Sequence, residues 1–347
     1  MRIWRGVFVA ALFAVVSNFV VMGTTAHAAG PNDAFSLQVS PSPLVQTVKP
    51  GVATTVPLQV RNNGTGTEKL KVEVRRFTYN SQNGQISIDD IAAGDLSQWI
   101  TFSEPRFTVA PGQVFTQNVK LNFPAESGFS YSFVLIISRQ DQTQATGGGR
   151  LLEGSIADFG LVNIDRPGAT RGLEISSLKA SAGVYEYAPA TLSVTYKNTG
   201  NTFVQPLGNI FISRGDANDP ITTLSANDAG GFLLPNTSRT INAQWNDAFP
   251  RLETETLSDG TVKTHEVWNW ADIGKFRFGL YTASVVAIYN NGAFDIPLNA
   301  EVQFWIIPWK ILLGALIVLL VVVFGIVTVV RAIVRSVSGD RRNGFRR

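Results

Sequence analysis

The sequence predicts a mainly β protein made of two Ig-like antiparallel β-sandwich domains in tandem, followed by one transmembrane α-helix. Short runs of alternating apolar and polar residues, separated by Asn/Gly and Pro/Gly turns, extend from residue 35 to residue 166. The same pattern resumes at Leu173 and continues to Phe304. Such alternation is typical of half-buried antiparallel strands, and short strands between regular turns indicate sandwiches. An uncharged apolar stretch, residues 311–330, then follows.

Residues 1–28 have the composition of a secretory signal peptide. Arg2 and Arg5 precede an apolar stretch at residues 6–22, and the small residues Ala26 and Ala28 flank a site of the signal-peptidase type. We place cleavage after Ala28, which predicts that the chain beyond it is exported. The alternative is an uncleaved stretch that remains as a second membrane anchor.

The first domain is predicted to span residues 29–166. Val56, Leu58 and Val60 alternate with polar residues up to a turn at residues 62–66, which is rich in Asn and Gly. Residues 129–137 are apolar on both faces of the predicted strand, which indicates a central strand that is covered twice.

Turn and loop residues divide the remainder of this domain into predicted strands. The glycines at 147–149 predict a hairpin tip, and residues 151–164 predict the returning strand. The polar residues 89–98 predict a loop or a short helical turn, after which Trp99 and Ile100 return the chain to the core.

Residues 167–170, which include Pro167 and Gly168, are predicted to link the first domain to a second one at residues 171–304. The strand–turn–strand unit of residues 56–72 recurs in outline at residues 192–211. An exposed hairpin is predicted at residues 252–268, because Asp259-Gly260 is a strong tight-turn signal. A last strand pair is predicted at residues 280–289 and 294–304.

Residues 305–331 are predicted to form a transmembrane helix, and residues 332–347 a basic cytoplasmic tail. A helix of about 20 apolar residues spans a bilayer core of about 30 Å. Trp305 and Trp309 precede the stretch as interfacial anchors would, and arginines follow it. Because basic residues stay on the cytoplasmic side, we expect a single-pass protein of the cell membrane with its N-terminus outside. The short gap before the helix places the second sandwich against the bilayer.

The composition excludes several classes of function. The chain has 29 basic and 26 acidic residues, but the signal, the membrane edge and the tail hold enough of the basic residues that residues 29–304 are net acidic. The basic pI therefore gives no support for nucleic-acid binding. There is no cysteine, which excludes thiol nucleophiles, thiolate metal ligands and disulfides.

No catalytic, cofactor-binding or metal-binding residue is predicted, so we expect the protein not to be an enzyme. His265 is the one histidine after the signal and is interpreted as a surface strand position. The acidic groups in residues 89–95 and 216–228 lack calcium-loop spacing and are interpreted as solvated loops. Asn63 and Asn236 fit glycosylation sequons but are interpreted as ordinary turn residues.

Two weak binding candidates remain. Arg214-Gly215-Asp216 is a tripeptide that integrins read on exposed loops, although a plain turn is the favoured interpretation. Trp268 and Trp270 flank a polar bend and are interpreted as core filling near a domain end, with stacking on sugar rings as the alternative.

Several segments together resemble one family of surface proteins. They are Phe35-Ser-Leu-Gln-Val-Ser-Pro41, Val48-Lys-Pro-Gly51, Val60-Arg-Asn-Asn-Gly64, Phe77-Thr-Tyr-Asn-Ser-Gln-Asn-Gly84, Val109-Ala-Pro-Gly112 and the Phe-rich run at 128–138. In this order they resemble the WxL-interacting proteins of Gram-positive bacteria. The resemblance implies a peptidoglycan-binding sandwich, a second sandwich described as host-binding, one membrane helix and a basic tail. The second domain departs from the family at residues 234–239.

The sequence therefore predicts a membrane-anchored cell-surface adaptor that attaches to cell-wall peptidoglycan or to a partner surface protein. The alternative is an accessory extracytoplasmic subunit of a membrane assembly or secretion complex. No nucleic-acid partner is expected.

Overall fold

The computed structural model describes residues 35–79, 85–141, 154–217, 219–257 and 260–340, with the side chains of 90–92 and 336–340 left out. The predicted signal peptide, the glycine tip at 147–149 and residues 341–347 of the basic tail lie outside these ranges. Within them the prediction of a mainly β chain that ends in an apolar helix is confirmed.

The first half consists of short strands with one helical turn, α1, at Leu96–Trp99. The strands are β1 Leu37–Ser40, β2 Leu44–Val48, β3 Thr54–Asn62, β4 Glu68–Tyr79, β5 Ile86–Ala92, β6 Ile100–Phe102, β7 Arg106–Val109, β8 Val114–Leu121, β9 Ser130–Arg139 and β10 Ser155–Ile164. Strand β5 continues to Ala92, so the segment predicted as a loop from residue 89 begins four residues later than expected.

These strands form the first sandwich. One sheet has the order β1-β3-β8-β6, and the other has the order β2-β10-β9-β4-β5, with β7 also paired to β4. Both sheets contribute to one hydrophobic core, in which Leu58, Leu70, Val119 and Phe133 are fully buried. Strand β9 is buried on both faces from Phe133 to Ser138, as predicted for a central strand.

The second half has the same kind of organisation. Its strands are β11 Leu173–Ala180, β12 Val184–Tyr185, β13 Ala190–Asn198, β14 Leu207–Arg214, β15 Thr222–Ser225, β16 Ser238–Trp245, β17 Arg251–Thr256, β18 Val262–Val267, β19 Gly279–Asn290 and β20 Asp295–Ile306. A 3-10 helix occupies Trp270–Lys275. The sheets β11-β13-β16 and β12-β20-β19-β14-β15 enclose a second core, and β17-β18 is a separate hairpin.

The two sandwiches begin in the same way. In the first, β1 pairs antiparallel with β3, and β2 crosses over to pair parallel with β10. In the second, β11 pairs antiparallel with β13, and β12 crosses over to pair parallel with β20. In each sandwich the first two strands therefore lie at the edges of different sheets.

A buried asparagine at the end of a strand is also repeated. Asn62 and Asn198 are each fully buried and make three hydrogen bonds to backbone groups. For Asn62 the partners are Gly66 O (2.7 Å), Val109 O (3.0 Å) and the Gly64 N–H (2.9 Å). For Asn198 they are Thr202 O (2.8 Å), Leu233 O (3.1 Å) and the Gly200 N–H (2.9 Å). The strand–turn–strand unit that recurs in the sequence therefore also recurs in the structure, with the same pattern of asparagine hydrogen bonds.

The chain leaves the second sandwich directly into a long helix. Strand β20 ends at Ile306, and α2 runs from Trp309 to Asp340. Within the described residues α2 is the one helix long and apolar enough to cross a membrane, and none of its most apolar window is buried. It is longer than the predicted 305–331 segment at its C-terminal end, whereas Trp305 belongs to β20.

Candidate functional site

A cleft of about 600 Å³ lies between the two sandwiches. One wall is the outer face of the first sandwich, at β4, β5 and β10, together with the turn before β2. The other wall is the segment Ala229–Leu234 together with strand β16. Its lining includes Phe77, Phe159, Leu161, Gly231, Arg239 and Thr240.

The first wall is apolar and aromatic. Phe159 and Leu161 point away from the core of the first sandwich, because alternation along β10 directs Val162 and Ile164 inward. The rings of Phe77 and Phe159 meet edge to face, with centroids 5.1 Å apart. Such a wall supplies a rigid apolar surface for a ligand.

The opposite wall is a loop held by side-chain amides. Asn227 donates from Nδ2 to the carbonyl oxygens of Pro206 and Gly231, both at 2.9 Å, and accepts from the Gly231 N–H at 3.0 Å. Gln205 donates to the carbonyl oxygen of Gly230 at 2.6 Å. These side chains form hydrogen bonds to backbone groups of the loop, so the wall is ordered before a ligand binds.

Arg239 is the charged group of the cleft. It is partly buried on β16, and its guanidinium lies so close to Gly231 that a Cβ at that position would overlap it. Among the residues that the structure describes, Arg239 has no carboxylate within salt-bridge distance and no side-chain hydrogen bond. A guanidinium in this state is suited to a bidentate contact with a carboxylate supplied from outside.

Strand β16 also brings a free edge to the cleft. It is the last strand of its sheet and pairs on one side only, with β13, in the described part of the chain. Thr240 and Asn242 line the cleft and are exposed on the face of this sheet, where they hydrogen-bond to Thr195 and Ser193 of β13. An unpaired strand edge beside an apolar wall can accept an extended peptide as an additional strand.

The Arg214-Gly215-Asp216 tripeptide lies elsewhere, in an exposed turn after β14. Gly215 has a φ of 57°, and its N–H donates to the carbonyl oxygen of Leu280 at 2.8 Å. Arg214 donates to the carbonyl oxygen of Phe278 at 3.2 Å, and Asp216 accepts from Gln303 at 3.4 Å. Both charged side chains are thus held by strands of their own sandwich, next to the start of α2.

Trp268 and Trp270 are not core residues, so the core-filling interpretation was wrong. Their exposed fractions are 41% and 65%. Their rings lie 5.9 Å apart and both contact Phe249, with centroids at 5.7 and 5.4 Å respectively. The pair lies outside the cleft, on the end of the second sandwich from which α2 begins.

The other sequence candidates are not assembled into a site. His265 is exposed on β18, opposite Glu253. Among the described residues no group of three His, Cys, Asp or Glu side chains could hold a metal ion.

Sequence reasoning did not identify the cleft. The apolar residues on both faces of residues 159–164 were the available signal, because a strand with a solvated outer face would not place Phe159 and Leu161 there. Nothing in the sequence indicated that Arg239 would lie opposite them.

No protein-family model matches this chain, and no curated protein matches it. Matching solved structures include the class 5 fimbriae chaperone CfaA, which is 10% identical and covers 78% of this chain and 99% of that chain, with a TM-score of 0.35. The CsuC–CsuE chaperone–tip adhesion subunit complex of Acinetobacter baumannii is 13% identical, with coverages of 59% and 89% and a TM-score of 0.32. The Pseudomonas aeruginosa CupB2 chaperone is 11% identical, with coverages of 64% and 96% and a TM-score of 0.30. Likenesses at this level carry no argument about function.

Proposed function

We propose that this chain is a non-catalytic adaptor that is anchored in the cell membrane by α2 and presents two Ig-like domains outside. In this proposal residues 1–28 direct export and residues 332–347 stay in the cytoplasm. The cleft between the sandwiches binds an extended, carboxylate-bearing segment of an extracytoplasmic partner protein. The partner is thereby held at the membrane surface.

The observation that supports this proposal is the position of Arg239 in the cleft. Among the described residues its guanidinium has no carboxylate partner, it lies across from the Phe77 and Phe159 rings, and its strand is paired on one side only. The three features fit one ligand. The backbone of an extended peptide would pair with β16, an apolar side chain would meet the rings, and a carboxylate would meet the guanidinium.

Peptidoglycan, which the family resemblance implies, offers a second source of carboxylates, on short peptides next to sugar rings. The free edge of β16 favours a protein segment, because strand pairing needs several consecutive peptide groups. Soluble peptidoglycan fragments therefore form a separate arm of the test.

The test uses the full chain in lipid nanodiscs and a library of fluorescent ten-residue peptides with free or amidated C-termini. We expect binding of apolar peptides with a free carboxylate, and a loss of about tenfold or more in affinity for Arg239→Gln, which keeps the length but removes the charge. Arg214→Gln is the matched control, because Arg214 is an exposed arginine of the same sandwich outside the cleft. Equal binding of free and amidated peptides, or equal losses in the two variants, would overturn the proposal.

The peptidoglycan arm distinguishes the two ligand sources. If soluble fragments bind in an Arg239-dependent way and no peptide does, the cleft is a wall-binding site and the protein-segment proposal is wrong. An accessory subunit of a membrane complex would instead give a stoichiometric integral partner on crosslinking from α2 in intact membranes.

A further inference from the structure

The end of the second sandwich next to α2 carries a group of exposed apolar side chains, which we name the collar: Trp268, Trp270, Ile273, Phe276 and Phe278. Their exposed fractions range from 40% to 65%. They come from an 11-residue segment that contains the 3-10 helix Trp270–Lys275. Exposed apolar groups of this size, gathered on one surface, mark an interaction site.

The collar is tied to the first turn of α2. Lys310 forms ion pairs of 3.1 Å with both Glu186 and Glu266. Glu266 in turn accepts a hydrogen bond of 3.4 Å from the Trp268 indole N–H. Because these contacts join the segment before the 3-10 helix to the helix that leaves the sandwich, the collar surrounds the point at which α2 begins.

The position of Phe278 agrees with this placement. It directly precedes β19, whose first residue, Gly279, pairs with Ile306 at the end of β20. The exposed rings of Trp305 and Trp309 lie on this same end of the sandwich. Aromatic rings from two separate segments therefore gather around the entrance to the apolar helix.

The charged groups among the collar residues neutralise each other. Asp247 pairs with Lys275 at 3.1 Å and with Arg277 at 2.9 Å, and Asp272 pairs with Lys275 at 3.2 Å. Paired charges are less costly than isolated ones to bring into a medium of lower dielectric constant. The surface around the collar is therefore compatible with a lipid headgroup layer.

We infer that the collar is a lipid-binding surface that seats the second sandwich in the bilayer interface. Trp and Phe side chains favour this zone because their rings are apolar while the indole N–H can still reach water or headgroups. In this arrangement the end of the second sandwich dips among the headgroups, and the hairpin tip at Phe294 points away from the membrane. The inference rests on the proposed membrane span of α2.

The absence of native cysteine allows a direct depth measurement on the full chain. A nitroxide label is attached at Ile273→Cys and the protein is placed in nanodiscs of phosphatidylethanolamine and phosphatidylglycerol. Its collision rates are measured with oxygen, which enters lipid, and with a water-soluble nickel chelate. We expect the oxygen-to-nickel accessibility ratio at residue 273 to exceed that at Phe294→Cys by about threefold or more, because an interfacial site is shielded from water.

Two control positions test the collar and the membrane span separately. Phe294 is an exposed apolar residue of the same sandwich, but it lies at the other end of the β19–β20 pair. At about 3.4 Å per residue it is about 40 Å from the end of β20, after which α2 begins. Val318→Cys, near the middle of α2, reports the span itself. A lipid-like ratio at 318 with a water-like ratio at 273 would overturn the collar inference alone. A water-like ratio at 318 would overturn the membrane span as well.

Discussion

Asn163 and Phe203 join the two sandwiches through a pair of reciprocal hydrogen bonds. Asn163, near the end of β10, donates from Nδ2 to the Phe203 carbonyl oxygen at 3.2 Å and accepts from the Phe203 N–H at 2.8 Å. Both residues are buried. Ser130 adds a bond from its hydroxyl to the carbonyl oxygen of Asn201 at 3.1 Å. Because the same face of β10 supplies Phe159 and Leu161 to the cleft, this contact also sets the separation of the cleft walls.

Replacement of Asn163 should therefore uncouple the sandwiches. Asn163→Ala leaves the Phe203 N–H and carbonyl without partners in a buried site, at a cost of about 2–4 kcal/mol. We expect a single thermal transition in the full chain to separate into two, as followed by calorimetry. Asn118→Ala, at an exposed position on β8, is the control and should leave the transition unchanged. An unaltered single transition in Asn163→Ala would show that other contacts couple the sandwiches.

The repeated asparagines Asn62 and Asn198 should each be essential for their own sandwich. Alanine at either position removes three hydrogen bonds to backbone groups around a buried turn, which predicts a loss of about 2–4 kcal/mol. Denaturant unfolding of the full chain measures this loss. The neighbouring exposed Asn63 serves as the control, since Asn63→Ala should change stability by less than about 0.5 kcal/mol. Similar small effects at all three positions would contradict the assigned role.

Asp158 should make the protein less stable as the pH rises. It lies fully buried on β10, and neither carboxylate oxygen has a hydrogen-bond partner among the described residues. Burial raises the pKa of Asp158 to about 6, and the nearby Ser42 hydroxyl and Phe159 amide oppose this only in part. The folded state then retains a proton that the unfolded state, with a pKa of about 4, has already released. The contribution of Asp158 to stability is therefore fully present below about pH 4 and is lost as the pH rises through about 6.

Asp158→Asn tests this titration. The variant removes the charge with little change in size, so at pH 7.5 we expect a gain of up to about 3 kcal/mol and a flatter pH profile. Asp165→Asn, at an exposed position just beyond β10, is the control and should leave the profile unchanged. If the pH profile of Asp158→Asn matches that of the parent chain, the carboxyl does not titrate in this range.

Gly160 is required by its contact with Phe133. The two residues pair across β10 and β9, and a Cβ at position 160 would overlap the Phe133 ring, which is fully buried. Gly160→Ala should therefore destabilise the protein by about 1–3 kcal/mol through overpacking. Gly183→Ala is the matched control, because a Cβ there meets no atom within 4 Å. Urea unfolding compares the two; a tolerated Gly160→Ala would mean that the Phe133 ring can move aside.

Local patterns were enough to predict most of the fold. The alternation of Val56, Leu58 and Val60 corresponds to the buried face of β3, and the doubly apolar run at residues 129–137 corresponds to the central strand β9. The resumption of strand at Leu173 and the apolar helix were also read correctly. Each of these features depends on neighbours within a few residues, which the sequence displays directly.

The site could not be predicted in the same way. Whether Arg239 has a counterion depends on which chain segments lie around it in space, and its cleft joins residues about 80–160 positions apart in the sequence. The exposure of Trp270 was misread for a similar reason. An aromatic residue near a strand end normally packs inward, but Trp270 remains on the surface of the second sandwich.

The primary structure by itself determined the strand periodicity and the position of the apolar helix, because both patterns are encoded in contiguous residues. Tertiary structure alone decided that Asn163 hydrogen-bonds to Phe203, that Asp158 is buried, and that Arg239 faces an aromatic wall. These relationships arise from the packing of distant segments, in which burial and the available partners, rather than local propensity, determine the chemistry of each side chain.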